Sequence, residues 1–169
     1  MALEAENYLP AANGIQFAKA VSYQAGGQFD FAVSDDGLAL TVTYSDMQAQ
    51  IGNSASRAPL ATKLSSFVLP LEGYAKGVDL RFAFQGHVLT SARASAHLVY
   101  SVNENALLVD IDAGSDESFL HELNYYQAGQ ASEVRVNVFL FVENDSQAED
   151  FGASLTLTAI DATVGDPIA

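Results

Sequence analysis

The feature that most constrains this chain is a hydrophobic period of two, repeated along nearly its whole length. Successive side chains of an extended strand point to opposite faces, so apolar residues at every second position mean one face turned to a core and one to water. Val134, Val136, Val138, Leu140 and Val142 form the plainest such run, and Phe139 and Phe141 on its other face predict that this second face is partly covered too. The stretch SDDGLALTVTYSDMQAQIG, residues 34 to 52, keeps up the alternation for longest. It opens on Asp36-Gly37, a pair suited to the positive φ of a tight hairpin. Leu38, Leu40, Val42 and Tyr44 are expected inside, followed by Met47, Ala49 and Ile51.

Further strands are expected over residues 15–23, 28–33, 78–89, 93–102, 106–111 and 155–160, with turns at Gly26-Gly27 and at 103–105. Residues 52–62 read as a loop. The run 64–71 contains Pro70, which lacks a ladder donor and predicts an edge strand or a strand end. Gly86 predicts a bulge or kink. The segment 115–129 fits both periods, since Phe119, Leu123 and Tyr126 share a helix face while Phe119, His121, Leu123 and Tyr125 share a strand face; it is assigned to a strand. About ten strands without crossover helices predict an all-β, antiparallel β-sandwich, jelly-roll-like in its connections. The expected organisation is a flexible segment over 1–12, one domain over 13–165 and a tail over 166–169.

A chain of 169 residues can bury about 70% of its unfolded surface in one core without a metal or disulfide. Cysteine is absent, which excludes disulfides, thiolate catalysis and cysteine-ligated zinc. The formal charge is −14 and is unevenly spread: net −2 up to Arg93, and net −12 beyond it, where Arg135 is the only Lys or Arg. Such a surface repels phosphate backbones and anionic lipid heads, so no nucleic-acid partner is expected. No run reaches the eighteen or so apolar residues of a membrane helix, so membrane insertion is not expected. The start, MALEAENYLPAANG, lacks the basic-then-apolar build of an export signal; either the chain stays inside the cell or Met1 replaces such a signal.

Three stretches, IQFAKAVSYQAGG at 15–27, SDDGLALTVTYSDMQAQIG at 34–52 and VDLRFAFQGHVLTSARASAHLVYS at 78–101, together resemble a family of small, mostly exported microbial β-domains of unknown function. Ser34, Asp36, Gly37, Ala39, Leu40, Thr41 and Val42 match its S-x-D-G-x-A-L-T-V phrase. Phe84, Gln85, Gly86 and His87 stand where it has aromatic-Arg-Gly-aromatic, and LTLTAID at 155–161 fits its end. The resemblance implies an exported β-domain without a known activity. Gln85 departs from the pattern, as does the lack of the family's cysteines.

Catalytic signals are weak. No Gly-x-Ser-x-Gly elbow is present, and His87, His97 and His121 do not have metal-ligand spacing. Calcium is the sharper candidate, because Asp110 and Asp112 share a strand face and lead into Asp116 and Glu117, and Glu143 and Asp145 lie in a second oxygen-rich stretch. Tyr74, His87, Tyr125 and Tyr126 are candidates for an aromatic platform under a saccharide, or else rings closing the core. Leu3, Tyr8 and Leu9 suit a segment that adds to a neighbour's open sheet edge, giving a homo-oligomer. Three functions are therefore expected in turn: a non-enzymatic secreted or cell-surface binding and assembly domain, a calcium-assisted carbohydrate-binding module, and a jelly-roll hydrolase.

Overall fold

A computed structural model describes residues 14–26, 28–52, 60–73, 77–129, 132–144 and 152–165. The expected segments 1–12 and 166–169 lie outside these residues. The described chain forms twelve strands and no helix: β1 Ile15–Phe17, β2 Tyr23–Ala25, β3 Phe29–Val33, β4 Ala39–Tyr44, β5 Gln48–Ile51, β6 Leu60–Gly73, β7 Gly77–Thr90, β8 Ala94–Val102, β9 Asn105–Ile111, β10 Asp116–Ala128, β11 Glu133–Asn144 and β12 Ala153–Val164. They pair antiparallel in two sheets. The first runs β1-β6-β11-β8-β9 with β2 also on β6, and the second runs β10-β7-β12-β4-β3 with β5 also on β12. From β6 onward the chain changes sheet at every connection except the β8–β9 hairpin, which makes a jelly-roll-like sandwich. No helix among the described residues is long and apolar enough to cross a membrane.

The core follows from the alternation. Val134, Val136, Val138, Leu140 and Val142 of β11 are all fully buried, and so are Leu98, Tyr100 and Val102 of β8. Each such side chain contributes about 1.5–3 kcal/mol on leaving water. Aromatic rings join the sheets: Phe84 of β7 stacks on Tyr100 of β8 at 4.1 Å, and Phe29 of β3 meets Phe67 of β6 at 5.2 Å. A buried phenol needs a polar partner. Tyr44 finds Ser65 at 2.9 Å, and burial pushes its pKa up to about 12. Tyr100 finds His121 Nδ1 at 2.9 Å; burial raises the phenol and lowers the imidazole, as suits a hydroxyl donating to a neutral ring.

The structure corrects several expectations. The strand expected over residues 15–23 divides into β1 and β2, because the chain rounds Pro70: Ala18 N–H donates to the Pro70 carbonyl and Ser22 N–H to that of Val68. Accordingly β6 is an interior strand, paired with β11 along its length, and Pro70 sits where its other neighbours change over from β1 to β2. A missing donor costs least at such a break in the ladder. Leu38 is 42% exposed in the β3–β4 turn rather than inside. The expected bulge at Gly86 is on the partner strand, where the β12 register shifts between Leu157 and Ala159. Gly86 itself is regular and buried; an added Cβ there would overlap the Phe119 ring and the Thr156 carbonyl. The loop expected to 62 ends earlier, since β6 starts at Leu60. Residues 115–129 contain β10, the strand expected there.

The S-x-D-G-x-A phrase is a turn. Asp36 Oδ1 accepts from Ser34 Oγ at 2.6 Å and from Leu38 N–H at 3.0 Å, and Gly37 takes φ 73°. The Gly37 carbonyl then accepts from Phe17 N–H of β1, tying a hairpin of the second sheet to the first.

Candidate functional site

With the inner faces filling the core, the outer faces carry the chemistry, and register shows what stands beside what. On the second sheet, Glu122 of β10 pairs with Ala83 of β7, which pairs with Asp161 of β12 and through it with Thr41 of β4. The next row holds Asn124, Arg81 and Thr163, and the one after it Tyr126 and Asp79. Strands lie about 4.8 Å apart, so the backbones of Glu122 and Asp161 stand about 10 Å apart across the short Ala83 side chain. The result is a shallow depression of about 420 Å³ with Ala83 in its floor and Arg81, Glu122, Asn124 and Asp161 around it.

Asp161 is anchored from two sides, accepting from Thr41 Oγ1 at 2.7 Å and from Gln85 Nε2 at 2.6 Å. Gln85 thus orients a carboxylate. Arg81, Glu122 and Asn124 are exposed, and their side chains have no hydrogen-bond or ion-pair partner among the described residues. Tyr126 stands beside them with 57% of its surface exposed. A guanidinium, a carboxylate, an amide and a free phenol ring are therefore collected on rigid strands with donors, acceptors and an apolar ring face unspent. A groove of about 370 Å³ at the β2–β3 side, lined by Gln28, Phe29, Asp30 and Thr43, has no comparable set and no charged side chain except Asp30.

Of the residues expected from sequence, Tyr126 stands opposite Asp79 in the row at the edge of this depression, outside its lining. His87 is on the same outer face but farther along, held by Asp116 at 3.0 Å and Ser118 at 3.4 Å. Tyr125 is not on the platform: strand parity turns it inward, where it is fully buried and its hydroxyl bonds Asn103 and Gln127. Tyr74 lies outside the described residues. Asp110, Asp112, Asp116 and Glu117, expected to converge, are not brought together. Asp110 points to the outer face of the first sheet, bonded to His97 Nδ1 at 2.6 Å, whereas Asp116 is on the outer face of the second. Between them Asp112 offers its carbonyl to Thr90 and Ser115, so the intervening turn is closed by its own hydrogen bonds. Glu117 is exposed on β10, and Glu143 approaches His97 Nε2 at 3.4 Å. Asp145 lies outside the described residues. Among those described, no group of three or more His, Asp or Glu is placed to hold a metal ion. Asp79, Arg81, Glu122, Asn124 and Asp161 were not singled out by sequence; their only signal was a place on the polar side of an alternating strand.

The outer face of the first sheet is different. Leu64, Phe139, Val99 and Leu108 stand in one cross-strand row over β6, β11, β8 and β9, with Phe141 and His97 in the next. Phe139 and Phe141 are half-buried, as expected, and their rings stack at 6.4 Å. His97 lies between Asp110 and Glu143, and the hydrogen bond its ring donates to Asp110, with a smaller share from the one to Glu143, holds its imidazole above the ordinary range.

No protein-family model matches the chain, and no curated protein does. Among solved structures it is similar to TmCBM61 in complex with β-1,4-galactotriose, at 9% identity and TM-score 0.37 over 85% of this chain and 88% of that one. It is also similar to dimeric latent PorU from Porphyromonas gingivalis, at 12% identity and TM-score 0.47 over 92% of this chain and 14% of that one. A third is the C-terminal CBM6 of the laminarinase LamC from Zobellia galactanivorans, at 11% identity and TM-score 0.31 over 89% of this chain and 98% of that one. Such values carry nothing about ligands; the β-sandwich assignment stands on the strand pairing described above.

Proposed function

We propose that the protein is a saccharide-binding β-sandwich, acting outside the cell, that takes a glycan on the outer face of its second sheet. The observation that carries this is the depression beside Tyr126, where Arg81, Glu122 and Asn124 have no internal partners among the described residues. A pyranose presents vicinal hydroxyls, each donor and acceptor, around a ring whose C–H face is apolar. Arg81 donates in a fork, Glu122 accepts, Asn124 does both and Tyr126 stacks on the ring. The strands hold these groups in place before binding, so little ordering entropy is lost there. No metal enters the scheme, and chelation should leave binding intact.

The same geometry favours binding over hydrolysis. Glu122 and Asp161 stand on either side of Ala83, but Glu122 is open to water and both oxygens of Asp161 are engaged, so neither is an acid in an apolar pocket able to protonate a leaving group. Affinity electrophoresis against a polysaccharide panel, with and without EDTA, tests the proposal. Retardation that Arg81→Ala and Tyr126→Ala abolish at unchanged melting temperature supports it; retardation that both variants retain refutes it.

A second reading, assembly between copies, is favoured by β9, an edge strand whose outward Leu108 is 62% exposed. Sizing across concentrations tests it, and a monomer throughout excludes it.

A further inference from the structure

We propose that the depression on the second sheet selects its glycan by charge, taking neutral and amine-bearing sugars and rejecting uronates and sulfated sugars, with Glu122 as the specificity-determining residue. This rests on the saccharide-binding reading and adds the class of ligand to it.

Asp79, Glu122 and Asp161 line the depression against one guanidinium, that of Arg81. On the outer face of this sheet Arg81 is the only Lys or Arg among the described residues. Lys63 is elsewhere, 3.6 Å from Asp46, and Arg135 lies over the Tyr23 ring on the first sheet. Arg81 makes no ion pair among the described residues, so its one positive charge is available, but a carboxylate or sulfate drawn to it also meets the carboxylates on either side of Ala83. The charge of −14 on the chain adds to that repulsion at long range.

The two flanking carboxylates act differently. Asp161 has both oxygens held by Thr41 and Gln85, so its position is set by the sheet. Glu122, across Ala83, has no partner among the described residues and can turn its charge toward whatever lies in the depression. A sugar hydroxyl or ammonium satisfies it, and a ligand carboxylate cannot. Like charges brought together in this way discriminate between partners more than they raise affinity for the right one.

The test uses pairs of ligands whose charge is changed at one substituent: glucosamine oligomers with and without N-acetyl groups, and oligogalacturonates with and without methyl esters, within an array that also holds other neutral and sulfated glycans. The proteins are the wild type, Glu122→Gln and the double variant Glu122→Gln/Asp79→Asn. The expected result is binding to the neutral or amine-bearing member at least about tenfold tighter than to the charged-acid member, with the preference narrowing in Glu122→Gln and further in the double variant. Added salt should weaken binding of the free-amine oligomer and leave the acetylated one unchanged. Tighter binding of a uronate or sulfated glycan, or a preference that Glu122→Gln leaves intact, overturns the charge selection while the saccharide reading stands. Binding to no class of glycan overturns both.

Discussion

The two outer faces of the sandwich are built by the same alternation and end in opposite chemistry. On the first sheet the outward row Leu64, Phe139, Val99 and Leu108 is apolar across four strands, and its one charged cluster among the described residues, His97 with Asp110 and Glu143, is satisfied within itself. On the second sheet the rows of Glu122 and Asn124 are polar, and the side chains of Arg81, Glu122 and Asn124 are left without partners among those residues. The difference teaches where to look for a ligand in a fold made only of strands. Hydrogen-bonding groups that the fold has already used are structure, and those held rigid but unused are available for binding.

The contrast can be broken or sharpened by substitution, starting with the largest effect. Gly86→Val should displace Phe119 and open the β10–β7 pairing on which the binding rows depend, at a cost above about 3 kcal/mol. Urea titration would show it as an early midpoint, and a variant as stable as the parent would mean that Gly86 does not face Phe119 and that β10 pairs with β7 in another register. Arg81→Ala should weaken glycan binding by about 10- to 100-fold, the worth of a charged hydrogen bond, while stability moves by no more than about 0.5 kcal/mol. Calorimetric titration read beside a melting curve separates the two quantities. Phe139→Ala on the opposite face should do the reverse, costing about 1–2 kcal/mol of stability for a half-buried ring and leaving affinity unchanged. If glycan binding falls instead, the first sheet carries the site.

The smallest effect is that of His97, and its sign depends on pH. The hydrogen bond it donates to Asp110 raises its pKa in the folded state, so its stabilising share is fully present below the unfolded value of about 6.5 and fades as pH rises through the folded one. His97→Gln should therefore lower stability by less than about 1 kcal/mol near pH 5.5 and by almost nothing near pH 8.5. His121 has the opposite sign, because burial first of all lowers its pKa; its share is present above about pH 6.5 and is lost as pH falls through the folded value. Denaturation curves at the two pH values, on each single variant, distinguish them.

How much of the molecule is legible in its sequence varies with the distance between the residues involved. Parity along one strand is a local matter, so the inward course of Val134 to Val142, the half-covered Phe139 and Phe141, and the strand at 115–129 can all be read off. The same parity sends Tyr125 inward and Tyr126 outward, and a platform using both was never open to one strand. Asp110 and Asp116 are six residues apart and look convergent, but the chain changes sheets between them. Pro70 suggests an edge because a missing donor is visible in sequence, whereas a changeover of neighbours along one interior strand is not.

The sequence by itself determined that this chain is a β-sandwich and, with exceptions such as Leu38 and Tyr125, which side chains line its interior, because a period of two needs only neighbouring residues to be expressed. The tertiary structure alone decided that Glu122, Ala83 and Asp161 share a row and that Arg81 stands in the next. Pairing between strands far apart in the chain is set by how the two sheets close over a common core, and that closure, rather than any local pattern, brings the unspent polar groups together.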